Sequence, residues 1–180
     1  LPSGGVCDEL APAGLGPVRL TVLGGRWPAV FVRAASLGLS GRESPTQLGR
    51  DRQLKARAQA VIDAVSQRLG VAFAPDQLAL SGGHAPALLW VAPPAAYRDS
   101  AGKDVVAGDV DLLARGMVPG YPIGATAPGV PVAIAIAAAL PGTVVNEVAR
   151  TLPGVPTRIG LARGPAAVGA DLAWRDGQWQ

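Results

Sequence analysis

Residues Pro128–Gly142 read PGVPVAIAIAAALPG, and from Val130 to Leu140 no side chain carries a charge or a hydrogen-bonding group. A segment that is apolar on every face has to be buried on every face. Its eleven residues would make a rod only about 16 Å long, whereas a bilayer needs roughly 20 residues. It is therefore read as the core of the domain and not as a membrane span. Pro128 and Pro131 suit the first turn of a helix, where an amide donor is spare, and Pro141-Gly142 stops it. Ala133, Ala135, Ala137, Ala138 and Ala139, with Ala127 before them, let neighbouring backbone come close, and the stretch is read as a helix wrapped by sheet. The alternation of Val130, Val132, Ile134 and Ile136 keeps a buried strand as the competing reading.

The rest of the chain has to supply what wraps that rod. At 180 residues, 49% of them hydrophobic, it is one domain by size, with ample material for a single core. Gly 24 and Pro 17, without any repeat and among so much Val, Leu and Ala, indicate the frequent turns of a β-rich domain. One Cys and one His exclude a disulfide framework and a multi-His or multi-Cys metal site. The absence of any stretch resembling a signal peptide, together with the single thiol, makes the cytoplasm the expected compartment. The net charge of +3 comes from scattered arginines, and aromatic residues are only 4%. That pattern argues against nucleic-acid binding by a basic, aromatic-studded face. It leaves room for guanidinium groups lining a pocket for a small carboxylate.

In chain order, LPSGGVCDEL opens with a Gly-containing turn. VRLTVL (18–23) and PAVFVR (28–33) read as hairpin strands around Gly24-Gly25. Ser44, Pro45 and Gln47 have the form of a capped helix start, with Gly49 ending that turn. Asp51–Leu69 carries Leu54, Ala58, Val61, Ile62, Val65 and Leu69 at helical spacing, with charged and amide residues opposite, and Gly70 ends it. Ala87–Ala92 reads as a buried strand closed by Pro93-Pro94. Asp104–Gly116 is read as containing a third helix, capped by Asp104 or Asp109, with Val110, Leu113 and Met117 inward. Thr157–Ala162 and Ala166–Trp174 are further strands around Gly164-Pro165. Asp176-Gly177 between Trp174 and Trp179 is a strong hairpin signal. The return strand scarcely begins before Gln180, and the chain does not start with Met. A piece of a longer polypeptide, or an edge completed by another chain, is the expectation.

Four stretches carry a family resemblance. They are LPSGGVCDEL; AVFVRAASLGLSGRESP; LLWVAPPAAYRDSAGKDVVAGDVDLLARGM; and AIAAALPGTVVN. In order, they are similar to the PTGN-x-VD-x-L, VFV-x-A-x-x-LGL-x-GTE-x-P, VAPP-x-x-Y and A-x-x-IPGTVVN segments of PrpF-type proteins, which belong to the diaminopimelate-epimerase superfamily. The group includes 2-methylaconitate cis-trans isomerase, 4-oxalomesaconate tautomerase and methylitaconate isomerase. The resemblance covers nearly the whole chain and implies an α+β architecture, a diaminopimelate-epimerase-like β-roll of mostly antiparallel strands around a central buried helix. Residues 1–180 then form a single domain resembling the second, C-terminal roll of a two-roll protein, with the first roll and the final strand absent.

By the same resemblance the activity is a cofactor-independent shift or isomerisation of a C=C bond in an unsaturated polycarboxylate, by proton abstraction and return. The Cys and Lys proposed for proton transfer lie in the first half, so no catalytic residue is expected here. This half is expected to hold substrate on three turns that present backbone N–H groups: Ser3-Gly4-Gly5, Thr126 to Gly129, and Gly160 to Gly164, with Arg163 the one cation among them. Each departs from the family pattern. Gly5 replaces the expected Asn, the turn before the buried stretch reads ATAPGVP, and Gly160-Leu161-Ala162-Arg163-Gly164 stands for Gly-His-Pro-Ser-Gly.

Cys7 is read as a small buried thiol, His84 as a loop residue, and Asp109 and Asp111 as helix-capping or flanking acids. The expected partners are a small unsaturated polycarboxylate and the first-roll domain. A homodimer is among the assemblies the resemblance allows, and no nucleic acid, membrane, metal or cofactor is expected. Two functions stay open at this level. One is the substrate-holding half of an isomerase, inactive alone; the other is a degenerate, non-catalytic domain that binds a small acid or serves as an interaction module.

Overall fold

The computed structural model describes residues 1–24, 28–70, 86–118, 121–122, 129–170, 174–175 and 178–179. Its main sheet has eight strands. They are β1 (Asp8–Leu10), β2 (Val18–Leu23), β3 (Ala29–Arg33), β4 (Ala87–Ala92), β7 (Leu112–Val118), β8 (Tyr121–Pro122), β9 (Thr157–Leu161) and β10 (Gly164–Val168). The order is β1-β2-β3-β4-β7-β9-β10, with β8 paired to β7. Five pairings are antiparallel, and two, β3 with β4 and β7 with β9, are parallel. Strands β5 (Tyr97–Arg98) and β6 (Asp104–Val105) form a separate antiparallel pair, as do β11 (Trp174–Arg175) and β12 (Gln178–Trp179).

A parallel pair needs a crossover, and each of the two crossovers here carries a helix. Helices α1 (Pro45–Arg50) and α2 (Arg52–Leu69) lie between β3 and β4, and α3 (Val130–Ala139) lies between β7 and β9. The central strands are apolar on both faces, as strands covered on both sides must be. Val30, Val32, Leu88, Trp90, Leu113 and Met117 join the α2-side core. Their neighbours Phe31, Leu89, Val91, Leu112, Ala114 and Ile159 join the α3-side core. Gly116 belongs to this arrangement. A Cβ there would sit 2.4 Å from Leu89 Cδ2 and 2.8 Å from the Leu88 carbonyl, closer than any side chain tolerates. The result is an α+β fold, a mostly antiparallel roll with α3 against its inner face.

Local signals account for the helix boundaries. Ser44 accepts from the Gln47 amide at 3.3 Å and the Gln47 side chain accepts from the Ser44 amide at 2.8 Å, closing a capping box. Asp51 ends α1 and caps α2 through the Leu54 amide at 2.9 Å, so Gly49 lies inside α1 and not at its end. α2 buries Leu54, Ala58, Val61, Ile62 and Val65 and stops at left-handed Gly70. The apolar stretch is a helix over Val130–Ala139, with Ala135, Ala137 and Ala138 at 0% exposure. Its burial is one-sided, however: Val132 is 47% exposed, and Pro131, Ala133, Ile136 and Ala139 are only partly covered. Among the described residues no helix is long and apolar enough to cross a membrane.

Other expectations fail. The segment Asp104–Gly116 is not a helix; it is β6, a 3-10 turn at Ala107–Asp109 and the start of β7. Val110, Leu113 and Met117 are buried as expected. Leu113 and Met117, however, share a face by strand periodicity, because β7 lies between β4 and β9 and pairing on both edges overrides a helical spacing. The last hairpin of the sheet turns at Ala162-Arg163 and not at Gly164-Pro165, since Leu161 pairs with Gly164, and β10 ends at Val168. Asp111, expected to flank a helix, pairs with Arg158 at 2.6 Å and accepts from the Arg158 amide at 2.7 Å, clamping β9 to the start of β7.

Candidate functional site

No side chain among the described residues caps the N-terminal end of α3. Gly129 stands at the capping position in a helical conformation, φ −84° and ψ −16°, and no side chain there accepts a hydrogen bond. The first amides of a helix have no acceptor within the helix. With Pro131 contributing none, Gly129, Val130 and Val132 hold the spare donors of this end, where the helix dipole favours an anion. Val130 and Ile134 border a crevice closed by Leu89, Arg115, Leu161 and Ala162. It measures about 10 Å³, room for one water at most. A crevice of this size cannot enclose a ligand larger than water, so anything larger would have to lie on its surface.

The turn that shares the crevice is Ala162-Arg163. Ala162 is buried and Arg163 points to solvent, without a hydrogen bond or ion pair among the described residues. Gly160, expected in the turn, is instead in β9. A Cβ there would lie 2.6 Å from Leu113 Cδ2 and 3.1 Å from Tyr97 Cε1, so its small size serves packing. The Gly160 carbonyl accepts from Arg115 Nη1 at 2.8 Å. That same nitrogen bonds the Ala114 carbonyl at 2.8 Å, and Arg115 Nε bonds the Glu43 carbonyl at 3.0 Å. The guanidinium lies 5.0 Å above the Tyr97 ring. Burial pulls the Arg115 pKa below the ordinary arginine value, against the smaller influence of Tyr97 and Glu43. Burial likewise raises that of the Tyr97 hydroxyl, which has no partner among the described residues.

The remaining turn sits elsewhere. In Ser3-Gly4-Gly5, Gly4 takes φ +85° and the Ser3 hydroxyl donates to the Gly5 carbonyl at 3.3 Å, so it is turned onto its own loop. Arg68 of α2 donates to the Ser3 carbonyl at 3.3 Å and reaches Asp8 at 3.5 Å. Just beyond, Cys7 Sγ donates to the Gly142 carbonyl at 2.9 Å and lies 3.3 Å from the Thr21 hydroxyl. The structure thus brings Gly129 and the 160–164 hairpin together at one end of α3 and ties the strand leading from Ser3–Gly5 to the other end. Thr126 and His84 lie outside the described residues. Cys7 is half-buried and free, and no cluster of His, Cys, Asp or Glu that could hold a metal occurs among the described residues.

Larger grooves flank the C-terminal end of α3. One of about 440 Å³ is bordered by Ala139, Asn146 and Leu152, and another of about 250 Å³ by Asp111, Arg150 and Arg158. The first lies at the negative end of the helix dipole, the wrong polarity for a carboxylate; in the second, Arg158 is already paired with Asp111. The residue that sequence reasoning missed is Arg115. Its signal was present, as a charged residue inside the apolar run LLARGM, where a buried cation needs fixed acceptors.

Known proteins are similar to this chain in sequence and fold. The chain is 34% identical over 178 residues to a 2-methyl-aconitate isomerase of Shewanella oneidensis, covering 99% of this chain and 45% of that protein. It is 33% identical over the same length to a 2-methyl-aconitate isomerase of Cupriavidus necator. To a 3-methylitaconate isomerase of Eubacterium barkeri it is 28% identical over 151 residues, 83% of this chain and 40% of that protein. A crystal structure of methylitaconate-delta-isomerase superposes with a TM-score of 0.85 at 26% identity, covering 100% of this chain and 46% of that one. The chain therefore spans about half the length of the curated relatives it matches. Residues 1–178 match the family described as PrpF protein, and with the same fold and these relatives, the chain belongs to the PrpF family.

Proposed function

We propose that this chain is the substrate-holding half of a PrpF-type, cofactor-independent isomerase working in the cytoplasm. The activity is a shift or isomerisation of a C=C bond in an unsaturated polycarboxylate of the aconitate, methylaconitate or oxalomesaconate kind. The observation that carries the proposal is the meeting of the α3 N-terminus, uncapped among the described residues, with the Leu161–Gly164 turn and its exposed Arg163. Amides and a cation at one place suit a carboxylate, and they also suit the enolate-like charge that develops when a proton leaves the carbon beside it. A positioned base contributes roughly 10²–10⁴-fold to such a step. In this proposal the base comes from a first-roll domain facing the crevice, and this half contributes orientation and charge stabilisation.

A second reading has its own observation. Leu161 and Arg163 stand where the family pattern has His and Ser, which fits a domain that binds a small acid without turning it over. Deuterium incorporation into aconitate or methylaconitate in D₂O, followed by NMR, tests both. The expected result is exchange with the complete protein and none with residues 1–180 alone. Exchange by the isolated chain near the rate of the complete protein would place the base in this half and overturn the proposal. Binding without exchange by the complete protein selects the second reading.

A further inference from the structure

The turn that carries Arg163 is gripped from outside its own hairpin. Between β5 and β6 the chain turns through Asp99-Ser100-Ala101-Gly102, closed by the Gly102 amide on the Asp99 carbonyl at 3.0 Å. Asp99 Oδ1 accepts from the Ala101 and Lys103 amides at 2.9 Å each, and the exposed Arg98–Asp104 pair spans the strands at 2.8 and 3.0 Å. These bonds stiffen a small surface knuckle. The Ser100 amide is spent outside it, on the Ala162 carbonyl at 2.8 Å. A Cβ on Gly164 would meet Asp99 Oδ2 at 3.5 Å, so the knuckle also lies against the far side of the turn. From the inner side Arg115, seated over Tyr97, holds the Gly160 carbonyl. The carbonyls on either side of Leu161 are therefore both held by donors from other elements.

The β9–β10 hairpin has five paired positions of its own and does not need a surface knuckle to form. What the extra bond fixes is the plane of the Ala162-Arg163 peptide, and with it the direction in which Arg163 and the turn leave the sheet. We infer that the β5–β6 hairpin is a brace for the substrate turn, and that Ser100, through its backbone amide, is a positioning residue for carboxylate binding. The inference rests on the proposed function, which places that turn against substrate. A donor held a fraction of an ångström out of place loses much of its effect on an oriented ligand.

Ser100 occupies the second position of its turn, where proline is favoured. Ser100→Pro therefore removes the amide and puts its ring carbon where the Ala162 carbonyl sits, so the turn is released and displaced while the knuckle can keep its own bonds. In the complete protein it is expected to speed hydrogen exchange across residues 157–168 and to raise KM for aconitate about fivefold, in the range of one lost hydrogen bond. The kcat is expected to stay within about twofold and the melting temperature to hold, as for a substitution that changes orientation more than stability. Ser100→Ala keeps the amide and restores the wild-type KM. Asp99→Ala loosens the same knuckle and shifts KM in the same direction, which provides a second route if the proline variant folds poorly. Unchanged exchange in Ser100→Pro overturns the brace, and faster exchange with an unchanged KM overturns its role in binding. A wild-type protein that neither binds nor turns over aconitate-like acids overturns the functional reading and the positioning role together, while the exchange result still decides the brace.

Discussion

The two ends of α3 are built on opposite principles. At the C-terminal end the chain satisfies its own carbonyls. The Leu140 amide takes Ile136, the Thr143 hydroxyl takes Ala137, and Asn146 and Thr151 take Ala138. Thr143 also accepts from the Asn146 amide at 3.0 Å, so this end is closed by a network of side chains. At the N-terminal end, by contrast, no side chain among the described residues caps the helix, and the neighbouring turn sends its one cation into solvent. A fold selected for stability alone would cap both ends, since a missing cap costs about 1 kcal/mol. In the proposed function, the N-terminal end is where donors are kept for a ligand.

The strongest way to break the comparison is to destroy the helix that both ends share. Ala138 faces the sheet at 0% exposure, and Ala138→Asp puts an unpaired carboxylate into that core. Such a burial exceeds what a total stability of about 5–15 kcal/mol can absorb. The expected outcome is an insoluble protein or one without a cooperative urea transition; a normally folded variant would show that α3 is not the core.

Thr143→Val tests the closed end. It strands the Ala137 carbonyl and the Asn146 amide at a site with 0% exposure, and a loss of about 2–3 kcal/mol is expected from urea unfolding. A smaller loss than that of an exposed control threonine would mean that this network is not holding the end shut.

Arg163→Ala tests the open end. KM for an unsaturated tricarboxylate is expected to rise about tenfold with turnover retained, the effect of one charge-assisted hydrogen bond. Stability should stay unchanged, because Arg163 is exposed and unpaired among the described residues. An unaltered KM would remove Arg163 from the site.

The smallest effect concerns the ion pair beside the closed end. Burial alone would raise the Asp111 pKa, but its hydrogen bonds and charge interaction with Arg158, aided by Arg150, lower it overall. The carboxylate therefore stabilises the fold fully above its unfolded pKa of about 4, and this contribution is lost as pH falls through the lower folded value. The urea midpoint should drop on acidification below about pH 4, and it should drop less in Asp111→Asn. Equal slopes would show that the clamp carries no pH-dependent stability.

Much of the fold was legible because its signals are local. Ser44, Asp51 and Gly70 mark helix boundaries by their own chemistry, and the apolar run at 130–140 could only be core. The segment Asp104–Gly116 misled because its apolar residues fit two periods, and only the presence of β4 on one edge and β9 on the other selects the strand. The site was legible by motif as a set of glycine-containing turns, but their roles were not. Gly160 serves packing, the Ser3 hydroxyl bonds its own loop, and the grip on Ala162 comes from a residue 62 positions earlier in the chain.

By itself, then, the sequence determined the core stretch, though not its helical form, the capped α2, the β-rich class and the family, because hydrophobic period, capping chemistry and motif spacing act over a few neighbouring residues. Only the tertiary structure decided which turns share a crevice, which end of α3 is left open, and which carbonyls Arg115 and Ser100 hold. Those are contacts between segments tens of residues apart, set by strand order and register, and no local pattern encodes them.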